Sequence, residues 1–91
     1  MDEMWARIES LRGRTLYTAR KRPFEVVSVS RKAVTVVPES SGIPRAIRGD
    51  EFERAYSLRR ETGPLTAAAV RGAGASEWNP VYVAAIVNAI A

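Results

Sequence analysis

Three adjacent cations, Arg20-Lys21-Arg22, are the residues of this chain best suited to act on a ligand, and the chemistry they suit is phosphate binding. A guanidinium presents a planar fork that matches phosphate oxygens two at a time, and an ammonium adds a compact point charge. Arg31-Lys32 form a second cluster, and Arg45 and Arg48 a third. Ser40-Ser41-Gly42 precede the third cluster, and small residues of that kind let a backbone approach a phosphate, or simply make a turn. Residues 12–48 hold nine basic side chains against two acidic ones, Glu25 and Glu39, in a chain whose net charge is +4. Arginine richness alone can follow from genome composition. The segregation of charge is the stronger signal, because base composition does not choose where charges fall.

On that basis the chain reads as a non-enzymatic nucleic-acid-binding protein. Duplex DNA is the favoured ligand, held by its backbone through Arg20, Lys21, Arg22, Arg31 and Lys32, with Arg45 and Arg48 assisting. Selectivity for sequence is expected to be weak. The competing reading of the Arg20-Lys21-Arg22 loop is a solvated turn whose charges discourage edge-to-edge association of strands. Arg45 lies in phase with Ile43 and Ile47, so it is expected to pair with Glu25 or Glu39 or else to face a ligand. Tyr17 and Phe24 flank the first cluster and suit either base stacking or core packing.

Catalysis is poorly supported. The chain has neither histidine nor cysteine, which removes the usual general base, the usual partner of a serine nucleophile and thiolate metal ligands. Asp50, Glu51 and Glu53 cluster where capping of a helix start explains them. No catalytic residue, metal site, cofactor or small-molecule substrate is expected. The longest apolar stretch, residues 81–90, is too short to span a bilayer, and the Met-Asp-Glu opening is unlike a secretory signal. A cytoplasmic location is the expectation.

The elements that must position these cations can be read from periodicity. Ninety-one residues suit a single domain over 1–91. Met4, Trp5, Ile8 and Leu11 make one apolar stripe on a helix over 2–11, closed by Gly13. Four strands follow within a basic β-meander over 14–48: residues 15–18, 24–30, 33–37 and 43–48. Their short links require antiparallel neighbours. Phe24 and Val26 share one face of the second strand and Val27 and Val29 the other, which calls for a bulge near Val26-Val27 or a strongly curled, half-barrel-like sheet. Residues 50–91 are helical in three pieces. Asp50 and Glu53 have capping-box spacing, Thr62-Gly63-Pro64 ends the first piece, and Asn79-Pro80 opens the last. Trp78 and Val83 have the spacing of a hydrophobic staple across that start. The expected class is α+β.

The segment from Leu65-Thr66 to Ile90 resembles a helix-turn-helix in outline, with a short helix, a Gly-containing turn ending in Ser76 and a longer helix. The resemblance implies a recognition helix over residues 80–91. That stretch has no Arg or Lys, and only Asn88 suits contact with a base edge. It is apolar nearly all round, which in so small a chain calls for a partner to cover it. Val83, Ile86, Val87 and Ile90 are therefore the expected oligomer interface, and a small homodimeric interaction module is the alternative function.

Overall fold

The computed structural model describes residues 2–91. Helix α1 (Asp2–Glu9) carries Asp2 and Glu3 in its first turn, where the helix dipole favours negative charge, and buries Met4, Trp5 and Ile8. Gly13, at φ +82°, reverses the chain and donates to the Val26 carbonyl. Four strands follow: β1 (Thr15–Tyr17), β2 (Pro23–Val29), β3 (Ala33–Pro38) and β4 (Arg45–Arg48). They form one open antiparallel sheet in the order β1-β2-β3-β4. Helices α2 (Gly49–Thr62), α3 (Ala67–Gly72) and α4 (Pro80–Ile90) complete an α+β fold.

The bulge lies where the strand phase demanded it. Val26 pairs with Val36 and Ser28 with Thr35, so Val27 has no partner in the ladder. The extra residue returns Val29 to the same face as Phe24 and Val26. Phe24, Val26, Val34, Val36 and Ile47 all point to that face and are fully buried. The fourth strand begins later than its apolar pattern implies. Pro44 cannot donate to a ladder, and Ile43 is 66% exposed in the connection before β4.

The helices are locally encoded. Glu51, rather than Glu53, accepts from the Arg48 backbone N–H (3.2 Å) and caps α2, because the helix begins at Gly49, one residue earlier than its charges suggest. Gly63, at φ +85°, ends α2. Thr66 caps α3 by accepting from Ala69 N–H (3.0 Å). Asn79 and Pro80 open α4 as expected. The staple is absent: Trp78 is 80% exposed while Val83 is buried.

α4 lies amid the other helices, touching α1, α2, α3 and β1. Val83, Ile86 and Val87 are fully buried and Ile90 is 7% exposed within the single chain. A second chain is therefore not needed to cover them, and they are not available as an interface. The chain covers this helix itself by wrapping three helices and a sheet around it. Asn88 is also committed internally: its side chain donates to the Leu65 carbonyl and accepts from the Leu65 N–H, both at 2.9 Å. The helix-turn-helix outline thus places a core helix where a groove-reading helix should be. Among the described residues, no helix is long and apolar enough to cross a membrane.

Candidate nucleic-acid interface

The meander separates the cationic clusters. The β1–β2 and β3–β4 connections lie at one end of the sheet and the β2–β3 connection at the other. Arg20-Lys21-Arg22 and Arg31-Lys32 are therefore about 20 Å apart, the length of β2 at roughly 3.3 Å per residue. The open face of the sheet is not basic. It presents Thr15, Glu25, Val27 and Ala46, and its one cation, Arg48, is ion-paired. The charge sits on the connections because strand positions alternate with the buried face and leave few sites for long cations.

Partners divide the cations further. Arg31 is hydrogen-bonded to Asp2. That bond, and the guanidinium charge behind it, hold the Asp2 carboxyl below its ordinary value of 3.8. A depressed carboxylate contributes stability above the ordinary value and loses it as pH falls through the lowered one. An NMR titration of Asp2 should therefore give a midpoint below 3.8, moving upward in an Arg31→Ala variant. Arg48 pairs with Asp50 (3.2 Å), which also holds Arg54 (3.1 Å). Arg45 donates to Asn79 Oδ1 (3.1 Å) and lies 5.6 Å above the Tyr82 ring. Its expected carboxylate partners, Glu25 and Glu39, are not used. By contrast, no ion pair among the described residues involves Arg20, Lys21, Arg22, Lys32 or Arg71.

Arg20-Lys21-Arg22 sit on a well-held hairpin. Thr18 N–H donates to the Arg22 carbonyl (3.0 Å), Lys21 N–H to the Thr18 carbonyl (2.8 Å), and Arg22 N–H to Thr18 Oγ1 (3.2 Å). Lys21 has φ +62° and is the sole non-glycine residue with positive φ among those described. This is the pattern of a three-residue hairpin loop whose last position is left-handed, a place that favours glycine. Lys21→Gly should therefore leave the hairpin intact and raise stability by up to about 1 kcal/mol in a denaturant melt.

Behind the hairpin is a cleft of about 420 Å³. Arg20, Arg22 and Arg71 line it together with Tyr82, and no carboxylate does. Arg71 comes from the last turn of α3 and is the only cation after Arg60 in the sequence. Tyr82 is fixed from two sides: Phe24 meets its ring edge-on at 5.1 Å, and Arg45 covers it. The first turn of α4 forms part of the same wall through Val81 and Tyr82. That turn has no side-chain cap, because the Asn79 oxygen is occupied by Arg45. A second depression of similar size, about 410 Å³ beside Trp78, has its arginines Arg48 and Arg54 tied to carboxylates. Comparison with protein-family models, curated proteins and solved structures returned no match.

The structure thus groups Arg20 and Arg22 with a residue that sequence reasoning missed, Arg71, and separates them from Arg31 and Lys32. No local pattern marks Arg71. Its position depends on how α3 packs against α4.

Proposed function

We infer that the protein is a non-enzymatic nucleic-acid-binding protein whose binding surface is the end of the sheet formed by Arg20, Lys21, Arg22 and Arg71. The observation that carries this reading is the cleft with three arginines and no carboxylate. Three like charges around one cleft repel each other, and an anion relieves that repulsion. A polyanion adds counterion release, which makes binding strong at low salt and weak at high salt. With no carboxylate, histidine or cysteine in the cleft, nothing there exchanges protons readily near neutral pH, which favours a binding role over acid–base catalysis.

Arg31 and Lys32 belong to this surface less well than their charge suggests. Arg31 is paired with Asp2, and Arg31 and Lys32 lie about 20 Å from the hairpin tip, roughly two Debye lengths of about 10 Å at 0.1 M salt. The test is amide chemical-shift mapping with a short oligonucleotide. Shifts should concentrate at residues 18–22, 67–71 and 81–82 and leave 31–32 unmoved. Shifts centred on residues 31–32, or none at all, would refute the assignment.

A further inference from the structure

Cations alone would suit any phosphate backbone, but the cleft has more than cations. Its walls include Pro23, Pro38 and Val81 as well as Tyr82, so a large part of it is apolar. At about 420 Å³ it lies in the range that encloses a small-molecule-sized group. It also continues. An adjoining groove of about 270 Å³ shares Thr18, Ala19, Ala67 and Val81 with the cleft and extends to Tyr17. Tyr17 is 63% exposed and Val81 42%, two of the few large apolar side chains the fold leaves uncovered. Apolar surface and an exposed aromatic ring gain nothing from phosphate. They gain from a planar base.

We propose that this groove takes unpaired nucleotides, with phosphates on Arg20, Arg22 and Arg71 and a base against Tyr17 and Val81, so that the preferred ligand is single-stranded nucleic acid. The proposal rests on the nucleic-acid reading above and departs from the duplex that the charge pattern alone suggested. A duplex keeps its bases stacked inside and presents only its backbone, so the apolar half of the groove would stay empty unless a base were flipped out at a cost. A single strand fills both halves at once, and stacking tolerates any base.

The test is fluorescence anisotropy of the full chain with labelled single-stranded DNA and RNA of about 12 nucleotides, within the usual site size of single-strand binders. An equal-length duplex and an abasic strand of the same length serve as competitors. The single strand should bind on the order of tenfold more tightly than either competitor at equal salt. Tyr17→Ala should weaken single-strand binding about tenfold and leave duplex binding within about twofold. Tyr17 is exposed, so this variant should melt like the parent. Equal affinity for single strand, abasic strand and duplex, with no effect of Tyr17→Ala, would overturn the proposal and leave the backbone-binding reading intact. Binding of none of them would overturn both.

Discussion

Replacing Gly49 with alanine is expected to cost about 3 kcal/mol of stability, the largest effect of any glycine-to-alanine change in the chain. An added Cβ would lie 1.8 Å from the Arg31 carbonyl oxygen and 2.8 Å from its carbon, with the Trp5 ring at 3.2 Å. Two of those atoms are backbone, so no rotamer change relieves the overlap. The backbone cannot easily retreat either, because Gly49 N–H donates to the Lys32 carbonyl at 2.8 Å. Relief requires pulling the start of α2 off the β2–β3 connection and breaking that bond. Three kcal/mol is a large fraction of the roughly 5–14 kcal/mol expected for a domain of this size, and should lower the melting temperature by roughly 15 °C. Circular dichroism melts would measure it. Gly72→Ala is the control, since an added Cβ there meets nothing within 4 Å. A Gly49→Ala variant that melts like the parent would show that α2 does not begin against this turn.

The second large effect is on binding. The triple variant Arg20→Ala, Arg22→Ala, Arg71→Ala should lose nucleic-acid affinity on the order of 100-fold at low salt, about 1 kcal/mol per exposed charge-assisted contact. Its fold should be unaffected, because none of the three arginines makes an ion pair among the described residues and all three are exposed. Lys32→Ala, also exposed and without an ion pair among the described residues but at the far end of the sheet, should change affinity less than about twofold at about 0.1 M salt, where the Debye length is about 10 Å. Equal losses from Lys32→Ala and from Arg71→Ala would mean that charge matters only in bulk and that the cleft has no special part.

Much of the architecture was legible because it is written in local chemistry. Short links between β-branched runs dictate a meander, and the clash of phase between Val26 and Val27 dictates a bulge. Gly63-Pro64 and Asn79-Pro80 mark helix ends by the backbone angles they favour or forbid. What was not legible depends on how elements dock. Val83, Ile86 and Val87 look like an interface along the chain because nothing local reveals that three helices and a sheet will cover them. The spacing of Trp78 and Val83 fits a staple, yet the loop holding Trp78 is fixed elsewhere: Ser76 Oγ donates to Glu51 and accepts from the Asn79 N–H, and the indole is left outside. Arg45 was correctly phased with Ile47, but its partners lie 34 and 37 positions away, at Asn79 and Tyr82, where spacing gives no guide. Arg71 joins the cleft for the same reason.

The measurement that bears most directly on the central claim is a salt titration of single-strand affinity for the parent chain and for Arg71→Ala. With three to four phosphate contacts, log affinity should fall against log salt with a slope of about −2 to −3, near −0.7 per contact on a single strand. Arg71→Ala should make that slope shallower by about 0.7. A flat salt dependence, or a slope that Arg71→Ala leaves unchanged, would contradict the assignment of this cleft as the nucleic-acid site.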